Sequence, residues 1–125
     1  MTGIVLVTHN GLGESLRHQA EIILGRNLNM TLVSISEQAD PDHSLAELIG
    51  AIAHVTDPDG VLILTDLPGA TPHNLAVRAA APHDLPVVSG LNLPMLLKAI
   101  NHADKPAAEL ARLADLGGHQ GIIHQ

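Results

Sequence analysis

The chain has 125 residues, of which 46% are hydrophobic, yet it contains no Phe, Tyr, Trp or Cys. Its 13 acidic residues against 6 Lys and Arg give a formal net charge of −7. An aliphatic core is therefore expected, while nucleic-acid binding, which needs basic charge and stacking rings, is excluded, as are disulfides, thiol catalysis and thiolate metal sites. The length suits one domain over residues 1–125. Apolar runs too short to span a bilayer and an opening Met1-Thr2-Gly3-Ile4-Val5 without a basic region lead to the expectation of a soluble, cytoplasmic protein.

In chain order, Gly3-Ile4-Val5-Leu6-Val7-Thr8-His9 reads as a buried strand ending in a polar residue. The glycine-bearing turn Asn10-Gly11-Leu12-Gly13 leads to residues 14–24, where Leu16, Ala20, Ile23 and Leu24 recur at helical spacing before Gly25. Met30-Thr31-Leu32-Val33-Ser34-Ile35 is a second strand. Either Asp40-Pro41 or the capping box Ser44-Leu45-Ala46-Glu47 opens the next helix. Gly60-Val61-Leu62-Ile63-Leu64-Thr65 is an uninterrupted apolar run, the pattern of a strand covered on both faces. It ends in Asp66 and a Pro68-Gly69 turn. Thr71 is then of N-cap type, Pro72 suits the first helical position, and a helix follows over 74–81.

Leu85-Pro86-Val87-Val88-Ser89-Gly90 is a fourth strand with proline at its entrance. Residues 92–100 form a helix, and Asp104 caps another that runs from 105 to about 116, stopped by Gly117-Gly118. Gly121-Ile122-Ile123-His124 is a candidate short last strand. The alternation implies an α/β fold, a small doubly wound and mainly parallel sheet of order 2-1-3-4 with helices on both faces and a short C-terminal edge strand.

In that order the chain reverses direction between the first and third strands, where open sheets bind ligands. Those strands end in His9 and Asp66. A carboxylate accepting Nδ1–H would leave the His9 Nε2 free as a nucleophile. The helix start near Thr71 offers free N–H groups and a positive dipole end to an anion, such as a phosphoryl group. His9 read alone is equally a strand-end residue, and Asp66 read alone a turn cap; the functional reading rests on their meeting at one edge. Leu12, Leu67, Leu91 and Met95 follow strand ends and read either as an apolar docking rim or as core. Of the other histidines, only His73 borders the candidate site. No His/Glu spacing resembles a metal-binding helix, so neither metal nor cofactor is expected.

With those residues in view, the sequence resembles the enzyme IIA domain of the mannose family of the bacterial phosphoenolpyruvate-dependent sugar phosphotransferase system. The resemblance is carried by the opening strand with Leu12-Gly13-Glu14 behind it. It is carried also by Leu64-Thr65-Asp66-Leu67-Pro68-Gly69-Ala70-Thr71-Pro72-His73-Asn74-Leu75-Ala76 and by Val88-Ser89-Gly90-Leu91-Asn92-Leu93-Pro94-Met95-Leu96. It implies a phosphotransferase whose His9 is phosphorylated, with Asp66 hydrogen-bonded to it and Thr71, Gly69, Ala70, Pro72 and His73 around the phosphoryl group. It also implies a phosphoryl donor, HPr, an acceptor, enzyme IIB, indirect association with a membrane sugar permease, and a homodimer in which a C-terminal strand crosses to its partner. The output is sugar uptake or its regulation. His73 stands where the family commonly has serine, and Ala70 where glycine is frequent.

Rival readings are a phosphocarrier subunit serving dihydroxyacetone kinase, from which the Asn92-Leu93-Pro94-Met95 block leans away, and a non-catalytic doubly wound binding module with a structural His–Asp pair. A receiver-type module would need acidic metal ligands where His9 stands and a lysine where Ser89 stands. A serine hydrolase lacks its Gly-x-Ser-x-Gly elbow.

Overall fold

All four apolar runs become strands whose side chains alternate between two cores, as the period of two requires. In the computed structural model, which describes residues 1–55 and 59–125, the elements are β1 (Gly3–His9), α1 (Leu12–Leu24), β2 (Thr31–Ile35), α2 (Pro41–His54), β3 (Val61–Thr65), α3 (Thr71–Ala80), a 3₁₀ turn (Ala81–His83), β4 (Val87–Ser89), α4 (Leu93–Asn101) and α5 (Ala107–Gln120). The sheet order is β2-β1-β3-β4, with every ladder parallel. The expected order is thus the observed one.

Ile4, Leu6, Leu62 and Leu64 pack against Ala20 of α1, Leu96 and Ala99 of α4, and Leu110 and Ala114 of α5. On the other face Val5, Val7, Val61 and Ile63 meet Leu48 and Ile52 of α2 and Leu75, Ala76 and Ala79 of α3. The crossover leaving β1 therefore lies on one face and the crossover leaving β3 on the other. That divergence opens the edge of the sheet between β1 and β3, where His9 and Asp66 stand.

Three expectations are corrected. The helix of 105–116 starts later and runs on through Gly117 and Gly118 to Gln120. A Cβ at Gly117 would lie 2.6 Å from the Lys98 Cβ, and one at Gly118 2.9 Å from the Met95 Cε. These glycines let α5 pack closely on α4, which outweighs their poor helix propensity. Residues 121–125 consequently contain no strand: they leave α5 as an exposed tail, with Ile122 and Ile123 turned to solvent. At α3, Ala70 is the N-cap and Thr71 the first helical residue, one position earlier than expected, with Pro72 second. Proline fits there because no N–H in the first turn has a partner within the helix. At α2 the first alternative holds: Asp40 precedes Pro41 at the helix start, and Ser44 lies buried within the helix.

Candidate functional site

β1 ends at His9 because the next residues, Asn10 and Gly11, turn the chain into α1, Gly11 at φ 90°. β3 ends at Thr65, so Asp66 is the first residue released from the ladder. The register sets Val7 beside Thr65, the last residue of β3, so β1 runs two residues further and carries His9 past the end of β3, where Asp66 has just left the ladder. Asp66 Oδ2 accepts the His9 backbone N–H at 2.9 Å and lies 2.7 Å from His9 Nδ1. Its Oδ1 accepts the Leu67 N–H at 3.0 Å. The Asp66 side chain is 6% exposed and that of His9 46%, so the acceptor is sheltered and the imidazole is open.

Burial is the largest single influence on the Asp66 carboxyl and pushes its pKa up. The hydrogen bonds from the His9 backbone and ring, the charge of that ring and the backbone donor next to Asp66 together outweigh it, and the carboxyl is held below the usual aspartate value. An ionised Asp66 fixes Nδ1 as the protonated nitrogen and leaves the lone pair on Nε2.

The loop after Asp66 is built as a tight turn. Ala70 N–H donates to the Leu67 carbonyl at 3.2 Å, with Pro68 and Gly69 at the corner. Gly69 has φ 83°, the left-handed conformation demanded by the third residue of a type II turn. Asn74 Nδ2 donates to the Gly69 carbonyl at 3.1 Å, tying the turn to α3. Thr65 Oγ1 and His73 Nδ1 are hydrogen-bonded at 2.9 Å, so the first turn of α3 is also fastened to the end of β3. Thr71 is exposed, Ala70 half-buried and Pro72 buried. Val5 and Val7 belong to the core under α2 and α3; two residues on, His9 falls on the same face, the one that carries the α3 N-terminus.

The remaining residues of the expected rim divide. Leu12 and Leu67 are exposed beside the two strand ends, at 40% and 56%. Leu91 and Met95 are core: they are buried with Leu6, Leu64 and Leu96, because the Asn92 cap accepts the Met95 N–H at 2.9 Å and seats α4 on the sheet.

Sequence reasoning missed two features. Asn74 holds the turn, a role its helical position conceals. On the other flank of His9, a crevice of about 280 Å³ is lined by His9, Asn10, Ile35, Ser36, Glu37 and Gln38. It follows from the pairing of His9 with Ile35, which no local pattern announces. Among the described residues, no group of three His, Asp or Glu side chains is arranged to hold a metal ion, and no helix is long and apolar enough to cross a membrane.

The arrangement can therefore present a tautomerically fixed imidazole nucleophile beside the start of a helix. Comparison with known proteins identifies the family of the chain. The EIIA-man family, described as the PTS system fructose IIA component, matches residues 3–115. The mannose-specific EIIAB component of the phosphotransferase system from Escherichia coli K12 is 29% identical over 122 residues, which cover 95% of this chain but 38% of that relative. The mannose/sorbose-specific IIA subunit from Enterococcus faecalis superposes with a TM-score of 0.89 at 26% identity, covering 99% of this chain and 94% of that one. The EIIA component from Streptococcus agalactiae shares the fold, with a TM-score of 0.88 at 23% identity over 99% and 97% of the two chains. The chain belongs to the mannose-family enzyme IIA components of the bacterial sugar phosphotransferase system.

Proposed function

We propose that this protein is a phosphocarrier that accepts a phosphoryl group from phospho-HPr on His9 and passes it to an enzyme IIB, in the cytoplasm, serving sugar uptake or its regulation. The observation that carries the proposal is the double acceptance by Asp66 Oδ2, from the His9 backbone N–H and from Nδ1. It locks both the position and the tautomer of the ring. The Nε2 lone pair attacks the phosphorus of the donor's phosphohistidine. The P–N bond to His9 forms as the donor's P–N bond breaks, and the donor imidazole departs with the electron pair. His9 keeps its Nδ1 proton throughout, so the phosphorylated ring is cationic and is stabilised by the Asp66 carboxylate.

The phosphoryl oxygens are held by the Thr71 hydroxyl and by the N–H groups of Thr71 and His73 at the start of α3, where the helix dipole favours negative charge. Pro72 contributes no N–H, and its buried ring fixes the first turn. Gly69 and Ala70 shape the approach to that cradle. Transfer to enzyme IIB runs the same step in reverse. The chemistry calls for positioning and charge stabilisation more than for additional covalent steps.

Intact mass tests this after incubation with phosphoenolpyruvate, enzyme I and HPr. The wild type should gain one acid-labile phosphoryl group and His9→Ala none. An unmodified wild type beside fully charged HPr would reject the carrier function.

A further inference from the structure

Two imidazoles stand at this edge of the sheet, and their Nδ1 atoms are held by opposite kinds of group. That of His9 faces a carboxylate, Asp66, which can only accept. His73 is the third residue of α3, and its Nδ1 lies 2.9 Å from a hydroxyl, Thr65 Oγ1. Thr65 is 0% exposed, and a buried hydroxyl places its proton on an acceptor. Among the described residues Nδ1 of His73 is the one partner of that oxygen. Ser89, the neighbour of Thr65 in the ladder, keeps a buried hydroxyl with no partner at all. Thr65 therefore donates to Nδ1, and the His73 ring carries its own proton on Nε2. The two rings are opposite tautomers: His9 offers a lone pair at Nε2, whereas His73 offers an N–H.

The fold sets these two rings on one face. Val61 and Ile63 belong to the core under α2 and α3. Two residues on, Thr65 takes the same face, as His9 does after Val5 and Val7. Thr65 pairs with Val7, so it lies one strand across and two residues back from His9, roughly 8 Å away by strand spacing and rise. His73 covers Thr65 from α3, and Asp66 draws the His9 ring towards β3. The His73 side chain thus springs from the helix start that faces Nε2 of His9, and the residue is half-buried, which leaves part of it open. A transferred phosphoryl group holds its charge on its oxygens, where fixed donors bind it.

We propose that the His73 imidazole is a side-chain ligand of the phosphoryl group on His9, donating from Nε2 to a phosphoryl oxygen, and that Thr65 is the positioning residue that fixes this tautomer. The inference rests on the carrier function proposed above. His73 gains no covalent bond and keeps its proton. With Nε2 protonated and the Nδ1 lone pair taken by Thr65, it has no free lone pair for phosphorus. The same two hydrogen bonds therefore separate the nucleophile from the ligand, although both residues are histidines. The donor acts on the charged form of the carrier and shifts the equilibrium of transfer towards it.

The test reads, by intact mass, the equilibrium between phospho-HPr and the full chain at a series of HPr ratios, for wild type, His73→Leu, His73→Gln, Thr65→Val and Thr65→Ser. His73→Leu should move the equilibrium back towards phospho-HPr by about tenfold, the low end for a hydrogen bond to a charged group. His73→Gln, whose amide nitrogen replaces Nε2–H, should recover most of that loss. Thr65→Val should lose about two- to threefold, and Thr65→Ser should match wild type. NMR of ¹⁵N-labelled protein should find the His73 proton on Nε2, with that resonance shifting when His9 is charged, and a mixture of tautomers in Thr65→Val. A wild-type equilibrium in His73→Leu would overturn the inference, as would a His73 ring protonated on Nδ1 in the uncharged protein; both leave the carrier function standing. Equal losses in His73→Leu and His73→Gln would overturn it too, because the donor would not be the cause. A wild type that accepts no phosphoryl group removes the carrier function and this inference together.

Discussion

Both carboxylate oxygens of Asp66 are engaged, Oδ2 by two groups of His9 and Oδ1 by the Leu67 N–H. Asp66→Asn keeps the size of the side chain but removes the charge that, in the proposed mechanism, stabilises a phosphorylated, cationic His9. The rate of phosphoryl uptake should fall by on the order of 10²-fold, read by quenched-flow labelling, with the fold retained. The same residue sets an acid limit. Its pKa is lower folded than unfolded, so its contribution to stability is complete above the ordinary carboxylate value and is lost as pH falls through the depressed one. Thermal unfolding of wild type and Asp66→Asn should therefore differ at neutral pH, begin to converge as pH falls below about 3.8, and meet only once pH has passed the depressed value. His9 and Asp66 were legible because each closes an apolar run, where a polar residue is conspicuous. Glu37 was not: its nearness to His9 depends on a strand register 26 residues away in sequence, and its own neighbourhood reads as an ordinary polar turn.

Among the elements, α5 shows most clearly where local signals yield to packing. Gly117-Gly118 reads as a helix stop, since each glycine costs roughly 1 kcal/mol against alanine in a helix. The structure carries the helix through them because α4 lies too close to admit side chains. The two positions differ in what they would strike. A Cβ at 117 meets the Lys98 Cβ at 2.6 Å and Cγ at 2.7 Å, close to the backbone of α4, whereas one at 118 meets the mobile end of Met95 at 2.9 Å. Gly117→Ala should destabilise the protein by about 1–3 kcal/mol, while Gly118→Ala should change stability by less than about 1 kcal/mol, as Met95 swings aside and helix propensity improves. Chemical denaturation of the two variants checks this, and equal losses would contradict it. The exposed tail has the same origin: a helix extended to Gln120 takes up the residues that a stop at 116 would have released. The start of α3 shifted by one position for a related reason. The Leu67–Ala70 turn hydrogen bond and the hold of Asn74 on Gly69 decide where the helix begins, so that Ala70 rather than the intrinsically better cap Thr71 takes the boundary.

For the molecule as a whole, the order β2-β1-β3-β4 is what turns two strand ends into a site. It follows from buried parallel strands joined by helices, which the sequence states plainly through apolar runs separated by helical spacing. The residues that bring His9 and Asp66 together are for the most part the same valines, leucines and isoleucines that build the two cores. What the sheet adds, and the sequence conceals, is the second flank of His9: besides the acceptor and the helix start on the β3 side, a crevice lined by Ser36, Glu37 and Gln38 opens on the β2 side. The family places the chain among the IIA components of the sugar phosphotransferase system, and this asymmetry is what supports the proposal that Nε2 of His9 takes part. The most direct test is NMR of the His9 ring in protein labelled with ¹⁵N and charged through HPr. With Nδ1 held as a donor by Asp66, the phosphoryl group should reside on Nε2 of His9. A phosphoryl group on Nδ1 of His9, or on another histidine, would contradict the account.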